Sequence, residues 1–143
     1  MTRLTRKDMQ QQTRERLIAA AEAEIARQGI EGASIRDISE AAGYSLGAFY
    51  SNFASKRSLL DELLERHMRE EIGAFREMAS GTNGTGMEQV LAKIALWLRQ
   101  MQRNKTLTAL AVEFHLHANR DAAFKKAFEK SKAARHAELA EGL

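Results

Sequence analysis

A short stretch of the chain, GYSLGAFYSNFASK at residues 43–56, combines small side chains with aromatic ones at helical spacing. Phe49 and Phe53 are four residues apart and therefore share one face of a helix, where they can anchor it to its neighbours. The other face carries short or uncharged side chains, which are Leu46, Gly47, Ala48 and Ser51. Such a face can approach base edges in the major groove of DNA, which is roughly 12 Å wide. The residue types therefore meet what a helix that enters the major groove requires.

The elements that would position this face resemble a helix-turn-helix. Residues 36–53 read as a helix, a tight turn at Gly43, Tyr44 and Ser45, and a second helix of about two turns. Tyr50 lies beside the aromatic face, and its hydroxyl is a polar tip that could reach a phosphate. Spacing alone also fits an ordinary helical hairpin with an aromatic core.

Other kinds of site find little support. His115 and His117 are two residues apart and point roughly 200° apart on a helix, so we expect one half-buried, one exposed and no shared metal. His67 is expected to be an ordinary hydrogen-bonded histidine. Glu70 and Glu71 have no partner for general acid–base work, and no nucleophile pairs with a base. The sequence therefore predicts no enzyme, no metal and no cofactor.

The composition fits one compact domain, or a small module joined to a helical body. The chain has 143 residues, is 44% hydrophobic and contains no Cys, which excludes disulfides and thiolate metal sites. It has no apolar run of the roughly 18 residues that a membrane span needs, and its basic N-terminus has no signal-peptide core. We expect a cytoplasmic protein with no membrane segment.

The net charge of +3 is concentrated at one end of the chain. Residues 1–16 contain five Arg or Lys and two acidic residues, an excess equal to that of the whole chain. This basic arm fits attraction to a phosphate backbone. It equally fits a disordered, solvated terminus.

Apolar residues recur at spacings of three and four and Pro is absent, so the sequence predicts an all-α fold. The first helix is expected at residues 13–28, with a left-handed stop at Gly29. The second follows a cap at Ser34, with Asp37 completing a capping box, and closes at Gly43. Ser45 and Ser55 are expected to cap the third and fourth helices. The faces expected to be buried are Leu17, Ile18, Ala21 and Ile25 in the first helix and Ile35, Ile38 and Ala42 in the second.

The fourth helix is expected to be long and to link two parts of the protein. Its apolar stripe is Leu59, Leu60, Leu63, Leu64, Met68, Ile72, Phe75 and Met78. Residues 80–86, SGTNGTG, lack the Gly-Lys-Ser/Thr ending of a phosphate loop and predict a flexible linker. A fifth helix at 87–103 is expected to carry Val90, Leu91, Ile94, Leu98 and Met101 on one face. Two more helices, at 106–119 and 121–139, follow, and the last turns should fray because apolar anchors are few after Phe128.

Residues 13–64 resemble the N-terminal DNA-binding domain of TetR-like (tetracycline-repressor family) transcriptional regulators. The most specific parts are the Gly29 stop, the run SIRDI at 34–38, the pair AG at 42–43, and GAFYSNF at 47–53 followed by Ser55 and Lys56. The resemblance implies a homodimer whose two recognition helices enter successive major grooves of a palindromic operator. It also implies an all-helical C-terminal body that binds a small effector.

The resemblance further implies roles for individual residues. Arg36, Leu46, Gly47 and Ala48 match positions that lie against base edges, while Tyr50 and Lys56 match positions that grip phosphate. The other polar groups on the same surface are Ser34, Ser45, Ser51 and Asn52. Arg36 alone of the base-reading set has the fork for bidentate contact with guanine. Its alternative role is a solvated residue paired with Glu40, and that of Lys56 is a plain surface lysine.

The chain departs from the family pattern in its length. Family members usually continue for two more long helices, so the helical body is expected to be incomplete relative to the family. We predict a DNA-binding domain at residues 11–71, with its motif at about 34–53, and an effector-binding and dimerisation region at 72–143.

The last expectation concerns the effector. Met68, Phe75, Trp97, Met101 and Phe114 could line an apolar pocket, although residues of these types at helical spacing also fit a plain core. The function expected is a sequence-specific DNA-binding regulator, more specifically an effector-responsive repressor. The alternative is a helical protein that binds a small molecule, or a shortened interaction partner, without specific DNA binding.

Overall fold

The computed structural model describes residues 3–80 and 86–141, apart from the side chains of residues 74, 75, 77–80 and 139. Within these ranges every regular element is an α-helix, which confirms the all-α fold. The helices are α1 (Arg6–Gly32), α2 (Ile35–Ala42), α3 (Leu46–Asn52), α4 (Lys56–Ser80), α5 (Met87–Arg103), α6 (Lys105–Arg120) and α7 (Ala122–Glu141). None of the described helices combines the length and apolar character needed to cross a membrane.

The chain divides into two compact units between Leu63 and Leu64, within α4. The first, the head, holds α1 to α3 and the start of α4. The second, the body, holds the rest. The predicted domain boundary between residues 71 and 72 falls further along the same helix and stays a prediction.

Helix α1 begins at Arg6, earlier than the predicted start at residue 13. A capping box explains this start: the Thr5 hydroxyl accepts a hydrogen bond from the Asp8 amide, and the Asp8 carboxylate accepts one from the Thr5 amide, each at 3.1 Å. These bonds hold the pKa of Asp8 below its usual value. The interpretation of the basic arm as disordered is therefore wrong from Arg6 onward.

The predicted stop at Gly29 is a kink. Gly29 has φ 82° and ψ 165°, a conformation open to glycine, but helical structure resumes beyond it and ends at Gly32. Gly43, with φ 82° and ψ 26°, is a left-handed cap and ends α2 as predicted.

The head has one apolar core. Helix α1 contributes its predicted face of Leu17, Ile18, Ala21 and Ile25, all buried, and α3 and its C-cap contribute Phe49 and Phe53. The predicted face of α2 is only partly correct, because Ile38 is buried but Ile35 and Ala42 are half-buried. Ser39 is buried instead, since its hydroxyl donates to the carbonyl oxygen of Ile35 at 2.8 Å.

The body buries side chains from α4, α6 and α7. Its apolar core is formed by two residues of α4 and five of the last two helices: Leu64, Met68, Leu110, Phe114, Ala118, Phe124 and Phe128. Ile72 is half-buried, and the side chains of Phe75 and Met78 and the expected linker at residues 81–85 lie outside the described residues.

The apolar face predicted on α5 is exposed or half-buried. Among the described residues no α5 side chain is buried, and Leu91, Ile94 and Leu98 are 57%, 36% and 48% exposed. The spacing correctly predicts a helix with an apolar face, but a face is buried only where another element covers it.

Helix α7 extends to Glu141, two residues beyond its predicted end. Polar contacts attach its second half to α4, and the fraying of its last turns stays a prediction. The Ser131 hydroxyl donates to Glu65 Oε1 at 2.7 Å, and Arg135 Nη2 donates to Glu65 Oε2 at 2.6 Å. These bonds, led by the one from Ser131, lower the pKa of Glu65.

Candidate nucleic-acid interface

Helices α2 and α3 form a helix-turn-helix whose turn is closed by local hydrogen bonds. The amide of Tyr44 donates to the Ser39 carbonyl at 2.9 Å, and the Ser45 hydroxyl caps α3 by accepting from the Ala48 amide at 3.2 Å. Tyr44, whose role the sequence does not indicate, packs back on α1. Its hydroxyl accepts a hydrogen bond from Arg16 at 3.3 Å, and its pKa is lowered, chiefly by a hydrogen bond with Thr13.

The two faces of α3 differ sharply in exposure. Phe49 is fully buried and Phe53 nearly so, with ring centroids 5.4 Å apart. Tyr50 meets the Phe49 ring edge-on at 5.5 Å, while 55% of its surface stays exposed. Of the predicted reading face, Leu46, Gly47 and Ser51 are exposed and Ala48 is half-buried. The short side chains therefore point away from the head.

Gly47 is not required by the packing of the head. A Cβ atom added there would lie 3.7 Å from the Ser45 hydroxyl oxygen, which is an ordinary contact distance. Its backbone is helical and has no positive φ. The fold of the head therefore leaves room for a side chain at this position.

Four of the polar residues predicted at this surface also have local structural roles. Ser34 caps α2, and Ser45 caps α3. The Ser51 hydroxyl donates to the Gly47 carbonyl at 3.0 Å, and the Asn52 side-chain amide donates to the Ala48 carbonyl at 2.9 Å. The Ser34 and Ser45 hydroxyls accept in these caps and keep their own protons to donate, and the Asn52 amide has a second N–H. The single hydroxyl proton of Ser51 is used by the Gly47 carbonyl, so Ser51 would have to give up that bond to donate to a phosphate.

The two predicted cations have different surroundings. Arg36 is exposed in the first turn of α2, and within the described part of the chain no ion pair joins it to Glu40. Lys56, at the start of α4, is half-buried. Burial lowers its pKa, and the charge of Glu31 partly opposes that shift. Lys56 is thus held at a helix N-terminus, where a cation gains nothing from the helix dipole.

One residue of the head that sequence reasoning missed is Arg14. Its guanidinium donates to the Asn52 backbone carbonyl at the end of α3, pairs with Glu62 of α4, and lies over the ring of Phe53. Asn52 and Glu62 are 38 and 48 residues away in sequence. No local pattern indicates contacts over such separations.

Of the five residues predicted for an effector pocket, the four whose side chains are described do not line one cavity. Trp97 and Met101 line one cavity of about 190 Å³ with Glu70, Glu71, Gln100, Asn104 and Leu107. Met68 lines another cavity, of about 90 Å³. Phe114 is fully buried, with its ring 5.2 Å from His67 and 6.1 Å from Phe124, and the Phe75 side chain lies outside the described residues. The pocket assignment stays a prediction.

The histidines follow the expectations. His115 is exposed and His117 half-buried. His67 is buried with its Nε2 3.4 Å from Glu71 Oε1, a contact that is the main cause of the lowered pKa of Glu71. Among the described residues, no three His, Cys, Asp or Glu side chains are grouped so that they could hold a metal ion.

The head has three helices, and α3, the second helix of the motif, exposes a face of short side chains. This arrangement is that of the helix-turn-helix class of DNA-binding domains. Within that class, residues 17–63 match the family model described as "Bacterial regulatory proteins, tetR family". This segment contains most of α1, all of α2 and α3, and the start of α4. This match confirms the resemblance of the head to TetR-like regulators.

Two curated relatives are repressors. The chain is 34% identical over 79 residues to the HTH-type transcriptional repressor KstR2 of Rhodococcus jostii, an alignment that covers 54% of this chain and 39% of that protein. It is 30% identical over 116 residues to the repressor KstR of Mycolicibacterium smegmatis, covering 81% of this chain and 56% of that one. Both relatives are regulators of transcription and not enzymes. The chain thus spans about half the length, or less, of these repressors.

Solved structures extend the likeness in fold. A protein from Mesorhizobium loti assigned to the TetR family superposes with a TM-score of 0.74 at 21% identity, covering 95% of this chain and 66% of that one. A TetR-family member from Streptomyces coelicolor gives a TM-score of 0.69 at 23% identity, covering 89% and 72%. At identities this low, the superpositions support a shared fold and nothing further.

Proposed function

We propose that this chain is a sequence-specific DNA-binding transcriptional regulator that acts as a repressor. The observation that carries the proposal is the exposed face of α3, where Gly47 lacks a side chain although the head has room for one. A helix that lacks a side chain on its exposed face can bring its backbone closer to a partner surface. The tetR-family match of the head and the repressor activity of the curated relatives support the same conclusion.

The head offers two kinds of contact to DNA. Arg36 is exposed and has the donor geometry for the two acceptors of guanine in the major groove. Leu46, Gly47 and Ala48 carry no hydrogen-bonding side chain, so we infer that they act through close approach and apolar contact with thymine methyl groups. With so few donors facing the bases, sequence-dependent DNA shape should carry much of the specificity.

The remaining polar residues would hold the head on the phosphate backbone. Tyr50 projects from the exposed side of α3 and Lys56 from the start of α4. Ser34, Ser45, Ser51 and Asn52 would add weaker contacts from the same surface. Contacts to phosphate fix the orientation of the head but carry no sequence information, so their loss should weaken binding to every sequence alike.

The proposal includes a homodimer and a small-molecule effector. Two heads reading a palindrome must present their α3 helices near the roughly 34 Å repeat of DNA. An effector that prefers a different separation of the heads would weaken operator binding, and the operator would weaken effector binding equally. The cavity beside Trp97 and Met101 is the candidate effector site. Because the partner is chromosomal DNA, the proposal carries with it the cytoplasmic location expected from the sequence.

The test is binding to duplexes enriched by the protein itself from a randomised DNA library. Fluorescence anisotropy would compare an enriched duplex with a scrambled one of the same composition over a salt series. We expect preference for the enriched duplex, and affinity for both that falls steeply with salt. Sedimentation equilibrium on the same samples should give a dimer.

Two outcomes would contradict the proposal. Failure to enrich any sequence at micromolar protein would favour the alternative of a helical protein that binds small molecules or other proteins. A monomer bound to a single half-site would leave DNA reading intact but remove the two-headed mechanism.

A further inference from the structure

We propose that Arg14 is a positioning residue that sets how the recognition helix α3 is held for reading DNA. This inference rests on the proposed function, since it assigns to Arg14 a part in operator binding without contact to the operator. It starts from the three contacts of one guanidinium group, all of them within the head.

The first contact fixes the C-terminal end of α3. Nη1 of Arg14 donates to the backbone carbonyl of Asn52, the last residue of the helix, at 2.6 Å. The last carbonyls of a helix lack partners within it, and they carry the negative end of its dipole. A guanidinium both satisfies such a carbonyl and complements that charge.

The second and third contacts hold the guanidinium itself in place. Nη2 pairs with the carboxylate of Glu62 in α4. The carbon at the centre of the group lies 4.3 Å from the centroid of the Phe53 ring, and that ring is buried. Arg14 thus joins α1, the end of α3 and α4 through one rigid, planar group.

The length of α3 explains why this contact matters. With seven residues, α3 has about two turns and is too short to be stable by itself. Ser45 fixes its N-terminal end, and the ring of Phe49 fixes its middle. At the C-terminal end the buried ring of Phe53 is the apolar anchor, and Arg14 holds both that ring and the last carbonyl. Without Arg14 this end would be held by Phe53 alone, and the angle of the exposed face would be less firmly fixed.

The first experiment needs no DNA. Backbone amide hydrogen exchange would compare the wild-type chain with Arg14→Met, which keeps the length and apolar stem but removes the charge and the donors. We expect amides of residues 49–53 to exchange roughly tenfold faster or more, because a charge-assisted hydrogen bond is lost. Amides of the buried face of α1, residues 17–25, should be unaffected.

The matched controls use the same helix. Arg27→Met removes another arginine of α1 that pairs with a carboxylate, that of Glu24, and it should leave exchange in α3 unchanged. Arg14→Lys keeps the charge without the planar fork and should fall between the wild type and Arg14→Met. Uniform acceleration throughout the head, or no change in α3, would overturn the proposal.

The second experiment uses the enriched and scrambled duplexes described above. Arg14→Met should weaken binding to the enriched duplex by roughly tenfold, while binding to the scrambled duplex and the salt slope stay unchanged. A purely structural role would lower both affinities together. A salt slope reduced by about one would instead make Arg14 a direct phosphate contact; either result overturns the positioning role.

These outcomes separate the inference from the function on which it rests. If the wild-type chain prefers no duplex, the proposed function fails, and the exchange experiment still decides whether Arg14 orders α3. If the wild type prefers the enriched duplex and Arg14→Met does so equally well, the positioning role alone is wrong.

Discussion

Ser34 and Asp37 exchange two hydrogen bonds across the first turn of α2. The Ser34 hydroxyl accepts from the Asp37 amide at 3.0 Å, and the Asp37 carboxylate accepts from the Ser34 amide at 3.3 Å. The bonds to Ser34 lower the pKa of Asp37. The residue that starts the helix-turn-helix is therefore also one of the groups proposed to face phosphate.

Substitution can separate these two roles of Ser34. Ser34→Ala should lower the free energy of unfolding by about 1 kcal/mol, because the cap is lost, and weaken binding to all DNA sequences. Ser34→Asp should keep the cap and the stability but weaken DNA binding through repulsion of phosphate. Thermal unfolding and anisotropy on the same samples would check both. Full DNA affinity for Ser34→Asp would remove Ser34 from the interface.

Gly47→Ala should weaken DNA binding without harming the fold. The added methyl group has room beside Ser45, and replacing a helical glycine stabilises by up to about 1 kcal/mol. Affinity for an enriched duplex should nevertheless fall, since the backbone can no longer approach as closely.

The matched control is Gly73→Ala in α4, where an added Cβ would also meet no close neighbour. It should have a similar effect on the unfolding midpoint and none on DNA binding. Equal DNA affinity for Gly47→Ala and the wild type would show that α3 does not approach the bases closely.

Arg36→Ala should relax the preference for one base position, at a cost of about 1 to 3 kcal/mol in specific binding. Lys56→Ala is the comparison, because loss of a phosphate contact should weaken all sequences alike and reduce the salt slope by about one. Tyr50→Phe should also weaken all sequences alike. Library selection with each variant gives the base preferences. An unchanged preference for Arg36→Ala would refute its role in base reading.

The contacts between Glu65 and α7 should stabilise the protein at neutral pH and lose that effect at acidic pH. The Ser131 and Arg135 contacts lower the pKa of Glu65 from its ordinary value of 4.5. A carboxyl whose pKa is lowered by folding stabilises the protein fully above its unfolded pKa, and this contribution is lost as the pH falls through the folded value. The melting temperature of Glu65→Gln should therefore lie below that of the wild type at pH 7. The difference should shrink as the pH falls below about 4.5.

Glu129→Gln, at an exposed position of α7, is the control for this pH series. It should follow the wild-type melting profile throughout. A difference in melting temperature between the wild type and Glu65→Gln that stays constant as the pH is lowered would contradict an ionic role for Glu65.

The sequence predicts the local features of the head well because each depends on residues close together in the chain. Ser34, Ser45 and Ser55 cap helices as expected, and Gly43 ends α2. Thr5 and Asp8 form the same kind of capping box. The spacing of Thr5 and Asp8 is visible in the sequence. The helix start is nevertheless predicted at residue 13, because that prediction follows the apolar periodicity, which begins later in the chain.

Contacts between distant residues account for most of what the sequence did not predict. The second half of α7 is attached by polar side chains, Ser131 and Arg135, to Glu65, whereas periodicity registers only apolar anchors. On α5 the amphipathic pattern indicates which side of the helix could be buried, but not whether another element covers it. Arg14 could not be found because its partners lie in other helices.

One side of α3 packs in the core of the head, and the other side is exposed. Phe49 and Phe53 face the core, and Leu46, Gly47 and Ser51 face outward. Mutations on the outward side should therefore have little effect on folding. In the proposed function, a descendant of this gene would acquire new target promoters through substitutions at these few positions, and an engineer could randomise them in a library with most members still folded.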